Sequence, residues 1–145
     1  MKYIVEIDID LPRDKVIELI DNSENLKYWQ PGFISFNHIE GIPGQRGALS
    51  KLKYKMGNRE VEMTEKIVVR DLPDVFAATY TAKDVVNLVT NRFNTIELNK
   101  TRWISENEFQ FSGMMRILSV FSQKSFEKQS CKYQYLFKNF AEKNI

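Results

Sequence analysis

Residues 113–142, GMMRILSVFSQKSFEKQSCKYQYLFKNFAE, form the stretch whose reading decides the fold. Met115, Leu118, Phe121 or Ser122, Phe126, Gln129, Tyr133, Phe137 and Phe140 recur at steps of three or four, the spacing of one face of an α-helix. Lys124, Lys128, Lys132, Lys138 and Lys143 mostly fall on other faces. A lone helix cannot leave so much bulky apolar area in water, so that face must lie against something broad. The only broad partner this sequence offers is a sheet. The chain therefore reads as a curved antiparallel sheet wrapped around one long helix, with the functional space between them.

Working outward from Gly113, the period upstream is two. Residues 101–112 set Trp103, Ser105, Asn107, Phe109 and Phe111 against Arg102, Ile104, Glu106, Glu108 and Gln110. Residues 85–98 place Val85, Asn87, Val89, Asn91 and Phe93 on one side and Val86, Leu88, Thr90 and Arg92 on the other, and which side is inward is ambiguous. Residues 75–82 carry Phe76, Ala78 and Tyr80 on one face, between the breaks Leu72-Pro73-Asp74 and Lys83-Asp84. Gly57-Asn58 joins two alternating runs into a hairpin, with Ser50, Leu52, Tyr54 and Met56 inward on residues 48–56, and Val61, Met63, Glu65, Ile67 and Val69 inward on the returning strand. Residues 33–40 are strand-like and precede a glycine-rich loop over 41–47. Residues 2–9 alternate Tyr3, Val5, Ile7 and Ile9 with Lys2, Ile4, Glu6 and Asp8, as an edge strand does. Pro12 opens a short helix to Asp21 with the apolar stripe Val16, Ile17, Leu19 and Ile20, and a second short turn carries Leu26, Tyr28 and Trp29. The order is one strand, two short helices, six strands and one long helix. That is an α+β chain with a sheet of about seven strands, and residues 1–145 are expected to form a single domain.

The composition fits. A chain of 145 residues with 43% hydrophobic residues can bury a real core. Lysines and arginines number 21 and acids 19, a net charge of +2 that gives no general electrostatic reason to bind nucleic acid or an anionic membrane. Lys51, Lys53 and Lys55, with Lys66 and Arg59 beside them, make a basic stripe, but Glu60 and Glu62 interrupt it, and it reads as a solvated sheet face. The single cysteine, Cys131, excludes an internal disulfide and a cysteine metal cluster and reads as an inert small residue. The opening MKYIVEIDIDLP lacks the unbroken apolar centre of a secretory signal, and no apolar run reaches the length of a membrane span. The expectation is a cytoplasmic protein, monomer or homodimer, with no integral membrane association and no nucleic-acid partner.

The element order resembles the START-like (SRPBCC) superfamily, the helix-grip fold, which includes polyketide cyclase and dehydrase-like proteins, plant allergen relatives and lipid-transfer domains. The resemblance covers nearly the whole chain. It is carried by the opening strand followed by DLPRDKV from Asp10, the short second helix with LKYWQPG from Leu26, the glycine-rich loop ending at Gly47, and Ser112-Gly113 entering the last helix. These are signals of layout more than of chemistry. The resemblance implies a cavity between helix and sheet that binds a sterol, lipid, polyketide-like aromatic or other apolar metabolite. The superfamily holds both enzymes and pure binders, and no motif here selects between them.

The catalytic inventory is thin. His38 stands alone, without HExxH or a second histidine at ligand spacing, and reads as a strand histidine on the wet face, so no metal is expected. There is no Gly-x-Ser-x-Gly elbow, and residues 41–47 match neither a phosphate loop nor a dinucleotide fingerprint. No cofactor is implied. More informative are polar residues at inward parity: Glu65 with Met63 and Ile67, Asn87 and Asn91 with Val89 and Phe93, Ser105 and Asn107 with Trp103 and Phe109. A carboxylate buried there is costly when charged, so its pKa should rise, and Glu65 could then serve as general acid/base in a cyclisation or dehydration. The competing expectation is that Glu65 pairs with an arginine such as Arg92 or reaches the rim, while the asparagines tie down backbone at bulges. Aromatic and methionine residues suit a pocket and equally fill cores. The candidate ligand-binding set is Tyr54, Met63, Glu65, Tyr80, Asn87, Asn91, Phe93, Trp103, Asn107, Phe126 and Tyr133, with Glu65 the candidate catalytic residue. Binding of a small hydrophobic molecule, for transport or sequestration, is the first expectation; a cyclase or dehydratase is the second. A third is an interaction module whose pocket is filled by its own side chains.

Overall fold

A computed structural model describes residues 1–114 and 123–143. The sequence-predicted helix positions Met115, Leu118, Phe121 and Ser122 lie outside the described residues. β1 (Lys2–Ile9) is followed by α1 (Arg13–Ile20), a 3-10 turn (Ser23–Asn25) and α2 (Leu26–Trp29). Then come β2 (Phe33–Glu40), β3 (Leu49–Met56), β4 (Arg59–Asp71), β5 (Val75–Ala82), β6 (Val85–Glu97) and β7 (Lys100–Phe111), and the helix α3 (Gln123–Lys143). The strands form one antiparallel sheet of seven in the order β1-β7-β6-β5-β4-β3-β2, so sequential hairpins lie side by side and β1 adds to the far edge. The α+β layout read from the sequence is the one observed, with strand ends differing by a residue or so.

Register shifts interrupt the ladders between β2 and β3, β4 and β5, and β6 and β7. Each bulge bends its strand and increases the local twist, which helps a sheet of this width to cup. One of them corrects the sequence reading. Alternation puts Val69 inward with Ile67, but the shift between Ile67 and Val69 reverses the parity, so Val69 is 39% exposed and Arg70 joins the inner lining instead.

α3 is fastened to β1 by one stripe of polar residues four apart. The Tyr3 hydroxyl shares a hydrogen bond with Ser130 Oγ at 2.8 Å and donates to the Phe126 carbonyl. Gln134, 2% exposed, donates to the Val5 and Trp103 carbonyls. Lys138 Nζ donates to the Asp8 carbonyl at 2.7 Å, and Glu142 accepts from the Asp10 amide at 2.8 Å. Hydrophobic periodicity does not reveal this stripe, because it is polar and only the edge strand gives it partners. Lys138, which the sequence assigns to solvent, is part of it. Beside it, Phe137 and Ala141 are fully buried, and Phe137 meets Trp29 and Trp103 edge-on with ring centres 5.2 and 5.4 Å apart. With Ile9, Leu11, Val16, Leu19 and Phe93, these residues close one end of the space between helix and sheet. The other end is not filled.

Candidate functional site

A cavity of about 950 Å³ lies between the inner face of β3 to β7, the first turns of α3, and the segment that joins α1 to α2. An interior filled by its own side chains is thereby not what the fold contains. All of the sequence-predicted residues line it: Tyr54, Met63, Glu65, Tyr80, Asn87, Asn91, Phe93, Trp103, Asn107, Phe126 and Tyr133. For β6 the ambiguity resolves toward Asn87, Val89, Asn91 and Phe93, and Arg92 is exposed on the other face.

The polar residues are neighbours across strands. Ser50 on β3 pairs with Glu65 on β4, Glu65 with Tyr80 on β5, and Tyr80 with Asn87 on β6. Residues opposite each other in a ladder point to the same face, so this row crosses the cavity wall as a continuous band. The band continues through side-chain bonds: Asn87 Nδ2 donates to Asn107 Oδ1 at 3.4 Å, and Asn107 Nδ2 donates to Ser105 Oγ at 3.1 Å. Asn91 Oδ1 accepts from Trp103 Nε1 at 2.9 Å. The asparagines therefore bond to other side chains, and not to backbone at bulges. Two buried polar atoms, Asn87 Oδ1 and Trp29 Nε1, have no hydrogen-bond partner among the described residues. Both belong to cavity-lining residues, and leaving such atoms unpaired is costly unless something else satisfies them.

Glu65 makes no ion pair among the described residues, and Arg92 does not turn toward it. Burial raises its pKa, an effect that a hydrogen bond from the Tyr80 hydroxyl partly opposes. Burial pushes Tyr80 well up, and the facing Glu65 charge adds to the rise. Burial likewise drives the Tyr54 phenol far above its usual range, aided by Tyr133 and Glu65, while Tyr54 donates to Gln30 Oε1. Tyr54, Glu65, Tyr80 and Tyr133 thus feel one another electrostatically and all favour their protonated forms. Such a group can donate hydrogen bonds to a ligand oxygen, and a carboxyl with a raised pKa can exchange a proton.

Sequence reasoning missed the mouth. Arg70 grips Asp21 through two bonds of 2.9 and 2.7 Å, tying the end of α1 to β4 beside the loop at Pro43 to Gln45, and its guanidinium stacks over Phe76. Both ionic residues line the cavity. Only the bulge brings Arg70 there, and the period of the sequence gives no sign of it. His38 is exposed, with Nε2 2.7 Å from the Gly41 carbonyl, away from the cavity lining. Cys131 is exposed on α3. Lys51 and Lys53 both contact Glu62, at 3.7 and 3.8 Å. No group of three or more histidine, cysteine, aspartate or glutamate side chains is placed to hold a metal among the described residues. No helix among them is long and apolar enough to cross a membrane.

A cupped antiparallel sheet gripping a long C-terminal helix over a hollow defines the helix-grip class that the sequence resembles. Solved structures share it. The Zhui aromatase/cyclase from a Streptomyces species superposes with a TM-score of 0.79 at 14% identity, covering 98% of this chain and 93% of that one. The major latex-like protein 151 from Panax ginseng gives 0.76 at 14% identity, covering 97% of each chain. Norcoclaurine synthase from Thalictrum flavum, in complex with dopamine and hydroxybenzaldehyde, gives 0.70 at 14% identity, covering 98% of this chain and 87% of that one. Likeness at these identities establishes the fold. No protein-family model matches the chain, and no curated protein sequence matches it.

Proposed function

We propose that the protein binds one small, largely apolar molecule in the cavity between α3 and the sheet, for transport or sequestration. The observation that carries this reading is a hollow of about 950 Å³ with aromatic and aliphatic walls crossed by a single polar band. That combination buries an apolar body and fixes its orientation through a few directional groups. The similar structures with an aromatase/cyclase and a synthase holding small aromatic molecules support the same reading. Trp29 and Trp103 line the space, so their emission reports on occupancy. Titration with the neutral dye Nile red should give saturable enhancement of dye fluorescence, with tryptophan quenching, at one dye per chain. Non-saturable uptake, or none, would remove the reading.

A second reading is a cyclase or dehydratase on the same scaffold, with Glu65 as general acid/base. It is favoured by the absence of an ion pair to Glu65 and by the raised pKa that burial gives it beside Tyr80. Glu65→Gln keeps the shape and removes the exchangeable proton. It should abolish turnover of a poly-β-ketone substrate if Glu65 is catalytic, and only change affinity if the protein is a carrier.

A further inference from the structure

The basic stripe read from the sequence does not behave as one unit. Lys51 and Lys53 are balanced by Glu62, whereas Lys55, at the end of β3, forms no ion pair among the described residues. It faces Lys128 and Lys132 of α3 across a second pocket of about 430 Å³. Those two lysines lie four apart, on one face of the helix, and they too form no ion pair among the described residues. No acid lines the pocket. Residues 115–122, which precede α3, contain Arg116 and no acid, so that segment has no carboxylate to offer.

The two pockets are contiguous. Met56, Gln129 and Tyr133 line both, so they stand where the apolar cavity gives way to the lysine-lined pocket. Met56 is 41% exposed, an apolar side chain left at the junction. At the opposite mouth the cation is already neutralised, because Arg70 is held by Asp21 through two bonds. The positive potential felt along the cavity therefore rises toward one end, the end at α3 and β3.

We propose that the molecule held in the cavity is an amphipathic anion, its apolar body against the sheet and its carboxylate, sulfate or phosphate at Lys55, Lys128 and Lys132. This rests on the ligand-binding reading above and adds the charge and the orientation of the ligand. Exposed lysines keep their hydration and act as point charges, so the contribution is a selective preference and not an anchor, and it is weakened by salt.

The test is displacement of bound Nile red by decanoate, decanol and methyl decanoate, at low and high salt. Decanoate should bind about tenfold more tightly than decanol at low ionic strength, with the gap narrowing as salt rises. Joint replacement of Lys55→Gln, Lys128→Gln and Lys132→Gln should bring decanoate to the affinity of decanol and leave decanol unchanged. All three side chains are exposed, so the variant should fold, which circular dichroism checks. Equal affinities in the unmodified protein overturn the inference, as does a preference that survives the triple replacement. A preference lost with Arg70→Gln instead would place the anion at the other mouth and also overturn it. If Nile red itself fails to bind, the ligand-binding reading falls and this inference falls with it.

Discussion

Replacing Phe137 with alanine tests the claim that the second half of α3 clamps the sheet shut and thereby leaves the cavity at the other end. Phe137 is 0% exposed, and its ring sits edge-on against Trp29 and Trp103 with a further contact to Phe140. Truncation removes the transfer energy of the ring and leaves a hole that these large neighbours can only partly close, which for such changes costs about 3–5 kcal/mol. Loss of edge-to-face contacts, about 0.5–1.5 kcal/mol per pair, places this case toward the upper end. Against a domain stability of about 5–15 kcal/mol this is a large fraction, and at about 3 °C per kcal/mol for a chain of this size the melting midpoint should fall by about 10–15 °C. Urea and thermal unfolding followed by far-UV circular dichroism measure both quantities. A loss below about 1 kcal/mol would mean that Phe137 has room to spare, and the picture of a closed end and an open end would be wrong.

Two further perturbations bear on the helix and the polar band. Because burial raises the pKa of Glu65, its stabilising balance is fully present below the unfolded value, set here at 4.5, and is lost as pH rises through the folded value. Glu65→Gln should therefore gain stability relative to the unmodified protein on going from acid to neutral pH in ligand-free urea titrations; a difference that is flat or reversed would show that Glu65 is not held in its protonated form by burial. Tyr3→Phe removes the bond to Ser130 Oγ and the bond to the Phe126 carbonyl, and should cost about 1–2 kcal/mol in urea unfolding. Ser130→Ala should cost less, and a combined loss equal to the sum of the two would argue that these groups do not act on each other.

How much of this was legible in the sequence follows from which forces are local. Period-two alternation and turn chemistry placed all seven strands, since both act over a few residues, and the same alternation put Glu65, Asn87 and Asn107 on the inner face. The sequence alone also set the near-neutral charge, the lack of a disulfide and the apolar face of the last helix, down to Phe126, Tyr133 and Phe137. What it could not set were the places where one residue shifts parity or where partners lie far apart in the chain. The bulge after Ile67 turns Val69 out and Arg70 in toward Asp21, and it exists because two strands must curve together, a condition that neither strand carries alone. Gln134 and Ser130 looked like surface polar residues until β1 supplied their partners. Lys55 lies over seventy residues from Lys128 in sequence, and they border one pocket only because β3 and α3 meet there. Local propensity thus wrote the elements and their faces, and long-range packing, which alone decides what faces what, made the hollow and its charge.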